Sequence, residues 1–102
     1  MAGDLTYIAA LVLHAIRSGQ RYGFQIMAAT ELPSGTVYPA LRRLEKAGFI
    51  RAQWERAAVA RAEQRPARKY YQVTPAGESA LTDAGKRYRF PAIEAARAEA
   101  DR

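Results

Sequence analysis

Hydroxyl-bearing and cationic residues are grouped between Ser34 and Lys46, where the spacing of apolar residues predicts a helix. At 100° per residue, Val37, Leu41 and Leu44 fall within about 60° of one another and form an apolar stripe. The opposite side and its shoulders carry small or flat residues first and cations further along: Gly35, Thr36, Tyr38, Pro39, Arg42, Arg43 and Lys46. Arginine can bond both acceptors of a guanine edge, and a tyrosine hydroxyl can bond a phosphate. These residue types therefore favour recognition of nucleic acid.

Catalytic and metal chemistry have little support in the sequence. The chain has no cysteine, and its one histidine, His14, lies in an apolar segment. The sequence contains no clustered carboxylate pair, no metal-ligand spacing and no glycine-rich phosphate loop, since Ser34-Gly35-Thr36 lacks the frame of one. We therefore expect no enzyme, no cofactor and no metal, with His14 packed or half-exposed in its helix.

Positive charge is concentrated in the middle of the chain. The 102 residues carry 16 Lys and Arg against 10 Asp and Glu, for a net charge of +6. Residues 31–73 hold nine of these cations against four Glu, whereas residues 74–102 hold five of each sign. A solubilising surface would spread its excess evenly, so this distribution favours an electrostatic footprint for phosphates.

Length and composition predict one globular domain that works in the cytoplasm. With 102 residues, 49% of them apolar, the chain can form one modest core but not two. The longest apolar run, Leu5 to Ile16, is too short to span a bilayer. It follows Asp4 rather than a basic leader, which is atypical of a signal peptide.

Apolar periodicity and turn residues predict the elements that position these side chains. We expect helices at residues 4–17, 22–30 and 34–47, strands at 49–56 and 69–74, and a last helix that begins at Pro75. Ser34 or Thr36 is the expected N-cap of the third helix, and Thr74 that of the last. Gly23 is expected to allow close approach of another backbone. The polar, basic stretch 57–68 is interpreted as an extended, mobile hairpin loop.

Three motifs in this order resemble the PadR-type winged helix-turn-helix transcriptional regulators. They are the Tyr22-Gly23 pair, the string GTVYPALRRLE from Gly35 to Glu45, and the string RKYYQVTPAG from Arg68 to Gly77. With the first helix they cover Leu5 to Leu81. The implied fold is mainly α with a small β-hairpin (α+β), in the order helix, helix, helix, strand, wing, strand, helix.

The resemblance implies a DNA-binding repressor that binds a palindromic operator as a homodimer. Residues 1–74 would form the DNA-binding domain and residues 75–102 a dimerisation helix kinked at Pro91. A small aromatic or drug-like effector would fit the same resemblance. The residues implied to contact DNA come from the second helix, the third helix and the wing: Tyr22, Ser34, Gly35, Thr36, Tyr38, Pro39, Arg42, Arg43, Lys46, Arg61, Arg65, Arg68 and Lys69.

The C-terminal segment is a weak dimer element, because its aromatic and leucine content fades after Tyr88. The wide apolar face of the first helix has room for a partner and is expected to share the interface. The residues predicted for that interface are Leu5, Ile8, Val12, Leu81 and Tyr88.

Several residues have a second interpretation. Tyr38 can pack under the wing instead of contacting DNA, and Arg42 and Arg43 can be solvated cations. Trp54 is interpreted as a packing residue of the hairpin rather than one that stacks on an effector. For the whole domain, the alternative is a protein-interaction or RNA-binding module without specific DNA reading. The basic third-helix face argues against a protein-interaction module.

Overall fold

The computed structural model describes residues 5–88 of the chain. In chain order its elements are α1 (Tyr7–Arg17), α2 (Gly23–Thr30), α3 (Ser34–Lys46), β1 (Ile50–Trp54), α4 (Ala57–Ala62), β2 (Lys69–Val73) and α5 (Pro75–Arg87). β1 and β2 form a two-stranded antiparallel hairpin. The predicted fold class, mainly helical with a small hairpin in a winged helix-turn-helix, is confirmed. No helix within residues 5–88 has the length and apolar content needed to cross a bilayer.

α1 is the central helix of the core, because its apolar residues occupy more than one side. Val12 and Leu13 have no exposed surface, and α1 packs against α2, α3, α5 and β2. The helix begins at Tyr7 rather than at Asp4, because Thr6 is its N-cap. The Thr6 hydroxyl accepts a hydrogen bond from the Ala9 N–H at 3.1 Å. α1 thus supplies the support on which the other helices are mounted.

α3 follows α2 after only three residues and begins at Ser34, as predicted, but its N-cap differs from the prediction. Glu31 adopts a left-handed conformation with φ of 59°, which turns the chain sharply. Pro33 is the N-cap of α3 and provides no side-chain hydrogen bond, so neither Ser34 nor Thr36 caps the helix. Ser34 is the first helical residue instead. Because the proline side chain has no hydrogen-bond acceptor, the extended backbone of Pro33 leads the chain into the helix without a side-chain cap.

The wing, which comprises β1, β2 and the segment between them, contains a short helix that was not predicted. Ile50 pairs with Val73 at one end of the hairpin and Trp54 with Lys69 at the other. Between the strands, α4 replaces part of the expected extended loop, and its Ala60 is 4% exposed. The segment Ala57–Ala62 is rich in alanine, the residue with the highest helix propensity. This local preference favours a helical turn there but does not stabilise so short a helix on its own.

α5 begins as predicted and packs into the same core as α1. The Thr74 hydroxyl accepts a hydrogen bond from the Gly77 N–H at 3.1 Å, and Pro75 is the first helical residue. A Cβ on Gly77 would overlap the backbone carbonyl of Phe49, so glycine permits the close approach of α5 to the hairpin. Leu81 and Ala84 are buried in the core.

The positions of the five predicted interface residues require a correction. Leu5, Val12 and Leu81 are at most 5% exposed and belong to the core of their own chain. The sequence shows that these residues are apolar, but it does not show whether their own chain or a partner covers them. Ile8 and Tyr88 are half-buried. The kink predicted at Pro91 and the rest of residues 89–102 lie outside the described residues.

Candidate nucleic-acid interface

The side of α3 that faces away from the core carries the predicted contact residues. Its buried residues are Val37, Ala40, Leu41 and Leu44. The exposed ones are Ser34, Gly35, Tyr38, Arg42, Arg43, Glu45 and Lys46. We call all of these except Glu45, whose carboxylate pairs with Lys69, the outer face. Thr36 and Pro39 are half-buried beside them. The amphipathic pattern thus brings hydroxyls and cations to one surface, as the sequence predicts.

The leading end of the outer face is open. No described atom comes within 4 Å of the position that a Cβ on Gly35 would occupy. Glycine is therefore not required there for packing inside the chain. Pro39, in the second turn, cannot donate to the Gly35 carbonyl, but Gly35 is exposed and its carbonyl can be hydrated. The first turns of α3 are thus narrow and accessible.

Tyr38 joins α3 to the start of α2 while staying partly accessible. The side chain of Tyr38 lies so close to Gly23 that a Cβ on Gly23 would overlap the Tyr38 hydroxyl and ring. The sequence predicted a close approach at Gly23, but the approaching group is a side chain rather than a backbone. Tyr38 is nevertheless 38% exposed. Its ring is thus anchored against α2, and part of its surface remains accessible.

Tyr22 and Arg68 connect the start of α2 to the wing. The guanidinium of Arg68 lies 4.1 Å from the centre of the Tyr22 ring, a cation–π distance. The Tyr22 ring also packs edge-on against Tyr70 with ring centres 5.8 Å apart. Both residues are half-buried. Tyr22, which is predicted to contact DNA, is therefore part of a junction of aromatic and cationic side chains between α2 and β2.

Arg65 is engaged inside the wing. Its guanidinium donates two hydrogen bonds to the Glu55 carboxylate, at 2.6 and 2.9 Å. The Arg68 N–H and the Tyr70 hydroxyl donate to the same carboxylate, at 3.3 and 3.1 Å. The side chains of Arg65 and Glu55 are only 21% and 7% exposed. These hydrogen bonds, led by those from Arg65, lower the pKa of Glu55 to about 2, so Glu55 holds the wing together as an anion.

The other two predicted wing cations have different surroundings. Arg61 is exposed on α4 and forms no ion pair with any of residues 5–88. The Lys69 ammonium lies 3.5 Å from the Glu45 carboxylate and so links β2 to α3. Arg61 is thus the more available of these two for an external phosphate.

A cavity of about 480 Å³ lies between the start of α2, the outer face and the hairpin; we call it the wing cavity. Aromatic rings from all three parts line it: Tyr22, Phe24, Tyr38, Trp54 and Tyr71. Tyr71 is buried at 5% exposure, and burial, with a further effect from the Glu45 carboxylate, raises its pKa. The cavity therefore combines a buried ring with accessible ones.

Phe24 and Trp54 are large apolar side chains that are mostly exposed. Phe24, in α2, is 74% exposed. Trp54 was interpreted as a packing residue, but it is 64% exposed at the end of β1. The placement of Phe24 has a signal in the sequence, since it is two residues before the buried Ile26 and so lies across the helix from it.

His14 is half-buried, as expected of a packed or half-exposed residue. Its Nε2 is 3.3 Å from the Ser18 hydroxyl. Burial, with a smaller effect from Arg17, lowers its pKa. No cluster of three or more His, Cys, Asp or Glu that could hold a metal occurs within residues 5–88.

Comparison with protein families matches residues 12–83 to the transcriptional regulator PadR-like family. Among curated proteins, none is similar enough to this sequence to count as a match. Solved structures of the same fold include smu.1704 from Streptococcus mutans UA159, which is 30% identical, with a TM-score of 0.65 over 78% of this chain and 74% of that one. A PadR family transcription regulator from Clostridium difficile R20291 is 25% identical, with a TM-score of 0.70 over 92% of this chain and 97% of that one.

A more distant structure shares the fold alone. It is BpsR of Bordetella bronchiseptica, whose DNA binding is regulated by 6-hydroxynicotinic acid. BpsR is 20% identical, with a TM-score of 0.61 over 94% of this chain and 76% of that one.

Proposed function

The chain belongs to the PadR-like family of transcriptional regulators, and from that membership we propose that it is a repressor that reads a palindromic operator as a homodimer. As a member of the family it is a DNA-binding regulator of transcription and not an enzyme. The observation that supports specific DNA reading is the outer face of α3. It presents small residues at its leading end, a partly exposed tyrosine and three exposed cations on one accessible surface.

The proposed contacts follow from the positions of the side chains. The first turn of α3, with Ser34, Gly35 and Thr36, enters the major groove, because small residues there let the backbone approach the base edges. Tyr38 and Pro39 pack against the groove wall. The cations further along α3, Arg42, Arg43 and Lys46, bond phosphates or a guanine edge.

The wing contributes through charge rather than through base contacts. Arg61 supplies affinity that does not depend on sequence and falls with salt. Arg68 and Lys69 place positive charge at the junction with α3, where Tyr22 approaches the DNA backbone. Arg65, which bonds Glu55 at 2.6 Å, holds the wing in position instead of contacting DNA.

We assign dimerisation to residues 75–102 together with the adjoining surface of α1. Ile8 in α1 and Tyr88 after α5 are half-buried and pack against the core. A two-fold dimer places two α3 helices on successive turns of one DNA face, so the operator half-sites would be about 34–36 Å apart, centre to centre. Because it acts on DNA in the cell, we place the regulator in the cytoplasm.

Effector control is the last part of the proposal. BpsR, which shares the fold, is regulated by a small aromatic acid. We infer that this chain also responds to a small aromatic or drug-like compound.

The decisive experiment is selection of bound duplexes from a random DNA pool, read by sequencing. A palindromic consensus is expected, and its half-site spacing reports the dimer geometry. Failure to enrich any sequence over bulk DNA would reject the specific regulator. A salt titration against duplex DNA and structured RNA tests the RNA-binding alternative, which predicts tighter binding to RNA.

A further inference from the structure

Two large aromatic side chains of the wing cavity belong neither to the core nor to the DNA contacts proposed so far. Phe24 and Trp54 are 74% and 64% exposed, and both line the cavity. Neighbouring exposed apolar groups on a protein surface mark a site of interaction. A partner that reaches the outer face and also enters this cavity would remove both rings from water.

Trp54 lies on the side of the hairpin that faces α3. Alternate residues of a strand share a face, so Trp54 is on the same face as Ile50, which is buried in the core. Lys69 is opposite Trp54 in the hairpin, and its ammonium lies 3.5 Å from the Glu45 carboxylate on α3. Trp54 and α3 are therefore two walls of one cleft, and Phe24 of α2 adds a third.

The charge of the cleft suits a polyanion. Four cations and one carboxylate line it, and two of the cations, Arg65 and Lys69, already pair with carboxylates. The other two, Arg42 and Arg68, form no ion pair with any of residues 5–88. The cavity thus places two available guanidinium groups beside two exposed aromatic rings.

A DNA strand has the matching chemistry at this position. The major and minor grooves of a duplex lie on either side of each sugar–phosphate strand. When α3 lies in the major groove, the strand that borders this groove therefore passes between α3 and the wing. Along that strand, anionic phosphates alternate with deoxyribose rings whose carbon–hydrogen faces are apolar. Contacts to phosphate and sugar fix the position of a protein on the duplex.

We propose that one strand of the bound duplex crosses the wing cavity, with a deoxyribose against Phe24 and Trp54 and the adjoining phosphates at Arg42 and Arg68. This inference rests on the DNA binding of the proposed function, but not on its palindrome or its dimer, because one protomer contains the whole cavity. Phe24 and Trp54 then hold the strand in position and read no base.

Hydroxyl-radical footprinting, which reports the accessibility of each deoxyribose, tests the path of the strand. At saturating protein, Trp54→Ala and Phe24→Ala should each lose protection of the sugars that border the nucleotides contacted by α3, while the rest of the footprint persists. The control, Val59→Ala, alters an exposed apolar residue of α4 that does not line the cavity and should keep the whole footprint. Full protection in both cavity variants would overturn the proposal.

The dependence of affinity on salt distinguishes an apolar contact from a charged one. Trp54→Ala should weaken duplex binding about fivefold or more without changing the slope of log affinity against log salt, because a sugar contact releases no counterions. Trp54→Phe, which retains a ring, should restore most of the affinity, whereas Arg68→Gln should reduce the slope by about 1. Circular dichroism checks that each variant is folded.

A reduced slope in Trp54→Ala would overturn the sugar contact. It would show that the indole acts only by holding Lys69, whose ammonium lies 5.8 Å from the centre of the Trp54 ring.

Tryptophan fluorescence tests the cavity without a selected operator. Trp54 is the only tryptophan of the chain, so quenching by acrylamide measures its accessibility alone. Saturating mixed-sequence duplex should protect it. Unchanged quenching, or stronger protection by structured RNA than by duplex, would overturn the proposal. Protection by duplex in a protein that enriches no sequence would refute the specific regulator while supporting the path of the strand.

Discussion

Two glycines near the DNA-binding surface lack a side chain for different reasons. At Gly23 the space of a Cβ is filled by the Tyr38 ring, whereas at Gly35 no described atom lies within 4 Å of it. Gly23 therefore serves packing between α2 and α3. Gly35 has no such role inside the chain, and under the proposed function a small residue there lets DNA approach.

Alanine at each glycine separates these roles. Gly23→Ala should lower the free energy of unfolding by about 1–3 kcal/mol, the usual cost of overpacking, because the Tyr38 ring must move. Gly35→Ala should leave stability unchanged or slightly raised, since alanine is the better helix former, but should weaken DNA binding. Chemical denaturation and a DNA titration measure the two effects. Equal stability losses in both variants would contradict this assignment.

Substitutions of Arg42 and Arg61 distinguish recognition of a base from an attraction that depends only on charge. Arg42→Ala should weaken binding to the selected operator by about 1–3 kcal/mol and relax the preference at one base pair. Arg61→Ala should weaken binding to all sequences alike and reduce the slope of log affinity against log salt by about 1. Titrations of operator and scrambled duplex at several salt concentrations distinguish the two. Uniform weakening by Arg42→Ala would make it a phosphate contact only.

Among the elements, the wing is the one whose conformation depends on a polar network. The Glu55 carboxylate accepts hydrogen bonds from Arg65, Arg68 and Tyr70, which together join the end of β1 to the start of β2. A short helix of six residues cannot be stable on its own. The network and the buried Ala60 therefore hold α4 in place.

The Glu55 network should make the wing sensitive to acid. The folded protein holds the pKa of Glu55 at about 2, below its ordinary value of 4.5, so its stabilising effect is complete above pH 4.5 and is lost as pH falls through about 2. Glu55→Gln should therefore be less stable than the original protein at neutral pH, and the difference should shrink as pH falls from 4.5 towards 2. Thermal unfolding across this range measures it.

Glu63→Gln is the control for that experiment, because Glu63 lies in the same wing and is exposed. It should follow the original protein at every pH. A stability difference for Glu55→Gln that does not vary with pH would show that packing, rather than the ionised carboxylate, holds the wing.

The elements also show how far the sequence predicts the fold. The apolar spacing of α3 and the Thr74-Pro75 cap are local signals, and both gave the element correctly. The helix in the wing was missed, because alanine propensity in a short segment decides little until Arg65 bonds Glu55, ten residues away in sequence.

Which element covers an apolar face could not be predicted. The sequence marks Leu5, Val12 and Leu81 as apolar, but only the packing of α5 on α1 shows that they cover one another within the chain. The exposure of Trp54 could not be predicted for the same reason, because no other element of residues 5–88 covers it. Periodicity orients a helix face, whereas the neighbour that buries it is set by tertiary contacts between distant segments. The exposure of the outer face was easier to predict, because small, hydroxyl-bearing and cationic residues favour solvent.

At the scale of the whole molecule, the proposed recognition surfaces and the core that supports them occupy different parts of the fold. The outer face, the wing and the wing cavity adjoin one another, while α1 and α5 share the core that carries them. A dimer formed through the surface of α1 and α5 leaves both recognition surfaces free for one DNA face. The dimer should therefore be separable from folding by substitution.

Substitutions at Ile8 and Leu81 should affect dimerisation and folding separately. Ile8→Glu introduces a residue of good helix propensity at a half-buried position of α1. It should convert the dimer to folded monomers, because it places a charge in the proposed interface. Leu81→Ala removes a side chain that is 2% exposed in the core and should cost about 2–5 kcal/mol of unfolding free energy. Sedimentation gives the mass and circular dichroism the fold. An original protein that sediments as a monomer would refute the dimer, and an Ile8→Glu variant that remains dimeric would place the interface elsewhere.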